Sequence, residues 1–156
     1  MRALLQRVSR AAVRIDGHPV AAIGSGLLIL LGVAEGDDEF VASALAAKVA
    51  GLRIFADSDG LTNLSIGEVS GEALVVSQFT LYADARRGRR PSFVAAAGPV
   101  VGERLYEVFS EVLAAQGIPV RQGVFGAHME VELVNDGPFS VWLDTVELGI
   151  EPRPAD

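Results

Sequence analysis

A Gly-Pro peptide within the segment Asn135-Asp136-Gly137-Pro138-Phe139-Ser140 constrains the fold of this chain more than any other local feature. Every second side chain is apolar over residues 129–134 and again over 139–144, which predicts two strands that flank a turn. Asp136-Gly137 alone favours a tight hairpin turn. Pro138 removes a backbone donor and makes a cis peptide accessible. The segment therefore predicts a rigid turn, which is either a plain connection or an element built for a pocket.

The size of the chain predicts one domain. It has 156 residues, half of them hydrophobic, which suffices for a complete core. We expect the domain to span residues 1–148 and residues 149–156 to form a loose tail. The apolar run at 26–33 is far shorter than the roughly 20 residues that cross a bilayer, so it predicts a buried strand. Without a secretory signal pattern at the first residues, we expect a cytoplasmic protein with no membrane partner.

Periodicity along the chain predicts an α+β domain in which a mixed or antiparallel sheet is covered by two helices. The first helix is predicted to start at Asp37 or Asp38 and to run to about Ala50. The second has one apolar stripe between Pro99 and Gly117. Strands are predicted near residues 2–15, 20–23, 26–33, 53–55, 73–76, 120–124, 129–134 and 139–148.

The residue types exclude several kinds of chemistry. The chain has no cysteine, which excludes disulfides, thiolate catalysis and cysteine-based zinc sites. Its only histidines, His18 and His128, lie far apart and outside any metal-ligand spacing. We therefore expect no metal and no other cofactor. A Ser-His-Asp triad stays possible because its members need only meet in space, but the sequence has no Gly-x-Ser-x-Gly segment.

Charge is unevenly distributed. The net charge of -7 disfavours a protein that coats nucleic acid by bulk electrostatics, and we expect no DNA partner. Four arginines nevertheless cluster around Gly88, namely Arg86, Arg87, Arg89 and Arg90. This cluster either binds phosphate or is a solvated loop. Arg90 alone has a third interpretation, an internal structural partner.

Several short segments resemble one known family in identity and in order. They are Ser77-Gln78-Phe79-Thr80-Leu81, Arg90-Pro91-Ser92-Phe93, Phe125-Gly126-Ala127 with Met129, Leu133-Val134-Asn135-Asp136-Gly137-Pro138, Gln6-Arg7-Val8 and Leu30-Leu31-Gly32-Val33. Together they resemble the D-aminoacyl-tRNA deacylases, and the resemblance covers the chain to about Leu143. It implies a barrel-like form of the sheet. It also implies hydrolysis of the ester bond of D-aminoacyl-tRNA, a chiral proofreading reaction that rejects the L form.

The resemblance also implies an assembly and a site. In the family, the Gly-Pro peptide is cis and enters the pocket of the partner subunit, so the active site of a homodimer lies at the subunit interface. The residues thus implied are Gly137 and Pro138 as the chirality filter, Arg7 as the residue that orients it, Ser77, Gln78, Phe79 and Thr80 in the catalytic pocket, and Met129 beside them. Arg86, Arg87 and Arg89 are our candidates for contact with tRNA phosphates.

The chain departs from the usual Gly-Pro-Val-Thr of the family at two positions. Phe139 and Ser140 stand in place of valine and threonine. The serine keeps the hydroxyl and loses only the methyl group. Phe139 either reshapes the wall of the pocket or fills core space behind it, and its place at the start of an alternating strand favours the second interpretation.

These residue types suit hydrolysis of a reactive ester. Such an ester needs positioning and stabilisation of the oxyanion more than a strong base. Backbone amides around Phe79 and Thr80 are candidate oxyanion donors, and Gln78 is a candidate orienting group. Thr80 is either a nucleophile or, as we favour, a group that positions substrate or water while the ribose 2′-hydroxyl assists.

Chirality can follow from excluded volume. Rigid carbonyls of Gly137-Pro138 can hold the α-ammonium group of the substrate and occupy the space that an L side chain needs. This filter predicts broad tolerance of D side chains, and acceptance of glycine. Two other function classes stay open, a small-ester hydrolase and a non-catalytic editing-type module that binds aminoacyl-tRNA. Turnover by the purified chain would eliminate the module.

Overall fold

The computed structural model describes residues 1–154. Two α-helices, α1 (Glu39–Gly51) and α2 (Pro99–Ala115), and a 3-10 turn at Phe79–Tyr82 accompany the strands. The strands are β1 (Arg2–Ile15), β2 (His18–Ile23), β3 (Gly26–Gly32), β4 (Phe55–Ala56), β5 (Thr62–Leu64), β6 (Glu72–Ser77), β7 (Val120–Gln122) and β8 (Glu130–Asp144).

The strands form a mixed, nearly closed barrel. The strand order is β2-β1-β3-β6-β7, and β8 pairs with β1 outside this path. β1 is antiparallel to β2, β3 and β8, whereas β3, β6 and β7 run parallel. Strands β4 and β5 form a separate small hairpin. The predicted α+β class, with two helices and a barrel-like sheet, is confirmed.

The central strands β3 and β6 are buried on both faces, since each contributes residues to two separate cores. Leu27, Ile29 and Leu31 of β3 belong to a large core between the sheet and the helices. Leu28 of the same strand belongs to a second core inside the barrel. Successive side chains of a strand point to opposite faces, so a strand between two cores must be apolar throughout. This explains the uninterrupted apolar run at 26–33.

Both helices begin as their sequences predict. The carboxylate of Asp38 accepts a hydrogen bond from the N–H of Val41 at 2.8 Å and caps α1. This bond holds the pKa of Asp38 below its usual value. The neighbouring Asp37 is not the cap, because its carboxylate accepts from the N–H of Ala34 and from the ammonium group of Met1. Helix α2 has proline in its first turn.

The C-terminal strand corrects one expectation. The segments 129–134 and 139–148 are not two strands joined by a hairpin turn, because β8 is continuous from Glu130 to Asp144. Both of its halves pair with the same partner, β1. A chain that keeps one partner across Gly137-Pro138 does not reverse there, so the Gly-Pro element is a bulge.

The C-terminal segment contacts the body of the protein. Ile150 packs against the large core. The N–H of Arg153 donates to Asp38 at 2.9 Å, and its guanidinium lies 4.1 Å from the ring centroid of Phe40. The last two residues of the tail that we expected to be loose, 155 and 156, lie outside the described residues. Within residues 1–154, neither helix is long and apolar enough to cross a membrane.

Replacing Gly26 tests the close approach of β3 to β6. A Cβ atom at Gly26 would overlap the carbonyl oxygen of Glu72. We expect Gly26→Ala to lower the free energy of unfolding by roughly 1–3 kcal/mol or more, measured by denaturant titration. Gly51→Ala is the matched control, since a Cβ there meets open space, and stability should stay unchanged or rise by up to about 1 kcal/mol. Equal stability of both variants would contradict this packing.

Candidate active site

A cavity of about 440 Å³ opens at the end of β6. Four of the residues that we predicted for the site line it, namely Ser77, Gln78, Phe79 and Met129. The other lining residues are Val76, Ala97, Pro99, Phe125, Gly126, Ala127, His128 and Val131. Val76, Met129 and Val131 also belong to the core inside the barrel or pack against it. The cavity is therefore the mouth of the barrel.

Two unpaired backbone amides, those of Phe79 and Thr80, follow the end of β6, and Phe79 lines the cavity. The N–H of Gln78 donates to the carbonyl of Leu31 at 2.8 Å, which holds the strand end against β3. The chain then turns into the 3-10 turn. Within residues 1–154, the N–H groups of Phe79 and Thr80 make no hydrogen bond, as expected for the first residues of such a turn. Two adjacent free donors can bind a negatively charged oxygen.

Thr80 lies outside the cavity lining. Its hydroxyl accepts a hydrogen bond from the side-chain amide of Gln78. No histidine, lysine or carboxylate in residues 1–154 hydrogen-bonds to this hydroxyl, so the described chain offers it no base. This geometry fits a positioning role better than a nucleophilic one.

Two glycines, Gly123 and Gly102, leave space for two residues that line the cavity, Met129 and Phe125. A Cβ atom at Gly123 would lie 2.7 Å from the sulfur of Met129, and one at Gly102 would lie 3.3 Å from the ring of Phe125. Tyr106 of α2 packs against Phe125 with ring centroids 6.0 Å apart. Its hydroxyl donates to the carbonyl of Val75 at 2.8 Å. Helix α2 thus holds the aromatic wall against β6.

Sequence reasoning missed several lining residues. The sequence analysis named Phe125 within a recognisable segment but assigned it no role in the site. It also assigned no role in the site to His128, which is next to Met129 in the sequence. Phe93, from another recognised segment, packs edge-to-face on Phe79 with centroids 5.1 Å apart. Ala97 and Pro99 carried no signal, because the approach of the start of α2 to the cavity depends on tertiary packing. No group of three or more metal-ligating side chains occurs within the described part of the chain.

The Gly-Pro bulge lies elsewhere on the same chain. Gln6 pairs with Ser140 and Val8 pairs with Asn135, so Arg7 alone faces the four residues 136–139. The Gly137-Pro138 peptide is cis, and Gly137 has φ of 140°. Neither residue lines the cavity, and neither does Arg7.

Asn135 closes the base of this bulge. Its side-chain oxygen accepts from the N–H of Phe139 at 2.9 Å, and its side-chain amide donates to the hydroxyl of Ser140 at 3.0 Å. The hydroxyl that Ser140 retains in place of threonine is therefore used.

The guanidinium group of Arg7 links the bulge to a neighbouring segment of the chain. Its Nε donates to the carbonyl of Asp136 at 3.1 Å, and its Nη1 donates to the carbonyl of Ile54 at 2.8 Å. The side chain is only 16% exposed. A Cβ atom at Gly137 would lie 3.3 Å from Nη2 of Arg7. The guanidinium thus lies directly against the backbone of Gly137.

The arginine cluster lies on an exposed loop, and its members differ. Arg86 forms a bidentate pair with Asp84 at 2.8 and 2.7 Å. Hydrogen bonds from Arg86 hold the pKa of Asp84 well below its usual value. Arg87, Arg89 and Arg90 are exposed and form no ion pair within residues 1–154. Two of our three tRNA candidates, Arg87 and Arg89, are therefore available to an external anion.

Comparison with known proteins identifies relatives across almost the whole chain. The D-aminoacyl-tRNA deacylase of Thermomicrobium roseum is 60% identical over 148 residues, which cover 95% of this chain and 96% of that protein. The D-aminoacyl-tRNA deacylase of Ruegeria pomeroyi is 57% identical over 144 residues, covering 92% of this chain and 99% of that protein.

Solved structures share the fold. A structure described as a c-Myc DNA unwinding element binding protein has a TM-score of 0.86 at 35% identity and covers 92% of this chain and 98% of its own. A structure described as a probable eukaryotic D-amino acid tRNA deacylase has a TM-score of 0.78 at 18% identity, covers 91% and 97%, and supports the fold alone. A family model described as D-Tyr-tRNA(Tyr) deacylase matches residues 4–144. The chain therefore belongs to the D-Tyr-tRNA(Tyr) deacylase family.

Proposed function

We propose that this protein hydrolyses the ester bond of D-aminoacyl-tRNA, releasing the free amino acid and tRNA, and that it rejects the L form. Besides family membership, one observation carries the proposal. The unpaired N–H groups of Phe79 and Thr80 follow the end of β6, where Phe79 lines a cavity whose lining side chains include no carboxylate and no lysine, and one histidine, His128. An aminoacyl ester is reactive enough to be hydrolysed by such a site.

The chemistry rests on stabilisation of charge. Water attacks the ester carbonyl, and the developing oxyanion is bound by the amides of Phe79 and Thr80. Removing one such donor typically costs about 10²–10³ in rate. Gln78 lines the cavity and also hydrogen-bonds Thr80, so it links the two and orients the substrate. The ribose 2′-hydroxyl of the terminal adenosine assists the transfer of the proton.

The active site is completed by a second copy of the chain. The bulge and the cavity are separate within one chain, since neither Gly137 nor Pro138 lines the cavity. The exposed bulge of one subunit would enter the cavity of its partner in a symmetric homodimer. Such an exchange is reciprocal in a two-fold interface, so both cavities are completed at once.

The inserted bulge acts as the chirality filter. Its backbone carbonyls hold the α-ammonium group and occupy the volume that an L side chain would need. The side chain of a D-amino acid points away, so many D-amino acids are accepted, and glycine, which lacks a side chain, is accepted too. Since aminoacyl-tRNA is used by ribosomes in the cytoplasm, we place the activity there.

The arginine loop contributes to binding of the tRNA. Arg87 and Arg89 are exposed on an otherwise acidic protein, and guanidinium groups suit phosphate oxygens. Arg86 is the weakest of the three candidates because Asp84 already pairs with it.

The first test compares D-tyrosyl-tRNA with L-tyrosyl-tRNA on the purified protein. We expect the D form to be hydrolysed far faster than the L form, because the filter excludes the L side chain. Gly137→Ala should lower the rate on the D form by about 10²-fold, since a Cβ there would press on Arg7 and on the N–H of Phe139. Gly51→Ala is the control. Equal hydrolysis of both forms would favour the small-ester hydrolase, and hydrolysis of neither would favour the binding module.

A second test separates Thr80 from the substrate hydroxyl. We expect Thr80→Ala to keep most of the activity, because the described chain gives this hydroxyl no base. A substrate charged at the 3′ position of a terminal 2′-deoxyadenosine should be hydrolysed at least about 10²-fold more slowly. The measurement is single-turnover release of the amino acid. The opposite pair of results would make Thr80 the nucleophile.

A third test reverses the charge of the loop. We expect Arg87→Glu with Arg89→Glu to weaken tRNA binding and to reduce the salt slope of log K by roughly one to two, measured across a salt series. Arg14→Glu with Arg121→Glu makes the same change of net charge at two other exposed positions. Equal effects of the two double variants would mean that only net charge matters.

A further inference from the structure

Phe139 follows the Gly-Pro peptide directly and makes a contact that valine, the residue of the family pattern, cannot make. Its ring is half-buried and packs against the large core. The guanidinium carbon of Arg7 lies over this ring, 4.5 Å from its centroid. A guanidinium over an aromatic face is attracted by the ring quadrupole, most strongly where water is excluded.

The ring of Phe139 gives Arg7 a contact in addition to its two hydrogen bonds to backbone carbonyls. The bonds to the carbonyls of Asp136 and Ile54 leave from the edge of the planar guanidinium and fix its position. The guanidinium carbon lies over the ring, 4.5 Å from its centroid, so the ring packs against the guanidinium beside these hydrogen bonds. The carboxylate of Asp136 adds little, since it is 3.9 Å away and 62% exposed.

The restraint passes from Arg7 to the peptide that we propose as the filter. Arg7 is the single residue of β1 opposite the bulge, and its Nη2 abuts Gly137. A tilt of the guanidinium would therefore move Gly137 and the carbonyl that follows it. The ring of Phe139 contacts the guanidinium of Arg7. The backbone N–H of Phe139 donates to the side-chain oxygen of Asn135, which holds Phe139 in place.

We infer that Phe139 is a positioning residue for the proposed reaction, because its ring holds Arg7 against the backbone of the Gly-Pro bulge and so sets how far the bulge reaches into the partner cavity. This inference rests on the proposed function. It assigns a role to the aromatic ring itself, beyond the volume that the side chain fills.

The test compares ring-free and ring-bearing variants of the full-length protein. Phe139→Leu keeps apolar volume without a π face, and Phe139→Tyr keeps the face. We expect the leucine variant to lose about fivefold in the ratio of D- to L-tyrosyl-tRNA hydrolysis, mainly through kcat and with little change in KM. The tyrosine variant should retain the ratio. Phe139→Val is a second ring-free variant in case the leucine variant does not fold.

A matched control removes a similar contact elsewhere. Phe40→Leu deletes the ring under Arg153, whose guanidinium lies 4.1 Å from its centroid on helix α1. This variant should leave the D-to-L ratio unchanged. A comparable loss in Phe40→Leu and Phe139→Leu would overturn the inference, because the effect would then be one of general stability.

A second readout does not depend on activity. The Nε–H signal of Arg7 in NMR spectra should carry a ring-current shift and exchange slowly with solvent in the wild-type and tyrosine proteins. The slow exchange should be lost in the leucine variant, in which the ring-current shift disappears with the ring itself. An unchanged exchange rate in the leucine variant, together with an unchanged D-to-L ratio, would reduce Phe139 to core filling. Should the wild-type protein hydrolyse no D-tyrosyl-tRNA, the proposed function fails, and the Arg7 signal still decides whether the ring holds Arg7.

Discussion

The pairing of β1 with β8 along both of their halves is the constraint on which the rest of the site depends. β8 stays paired with β1 on both sides of the Gly-Pro bulge. Within the bulge, four residues of β8 face a single residue of β1, Arg7. The surplus residues must leave the plane of the sheet. The strand pairing on either side of the bulge fixes where these residues leave the sheet. The position of the bulge is therefore set by the backbone hydrogen bonds between β1 and β8.

The cavity depends on a different consequence of the same sheet. β6 lies between two cores, and its residues are apolar from Ala73 to Val76 before the strand ends at Ser77. There the chain turns sharply, and the first amides of the turn, at Phe79 and Thr80, are left without partners. Because these two amides belong to the backbone at the end of a buried strand, their positions are fixed before any substrate binds. In the proposed reaction, the bulge would likewise supply acceptors from its backbone carbonyls rather than from side chains.

Much of the fold followed from patterns of known physical cause. The caps and stripes of the helices and the apolar run of β3 come from local propensity and burial, and these survive in any context that buries them. The error at β8 has an equally clear cause. Asp136-Gly137 flanked by alternating segments is the signature of a hairpin, and only the partner of each half distinguishes a reversal from a bulge. Local sequence does not encode the identity of a distant partner.

For the site, the sequence alone excluded thiol chemistry, since the chain has no cysteine, and it offered backbone donors, amides, hydroxyls and two separate histidines, of which His128 lines the cavity. Recognisable segments also pointed to Ser77, Gln78 and Met129, which the fold brings to one cavity. Only the tertiary structure decided that the Gly-Pro bulge stands apart from that cavity, and that Phe139 lies under Arg7. Both facts depend on strand register between residues more than 120 positions apart, and register is set by the packing of whole faces rather than by neighbours along the chain.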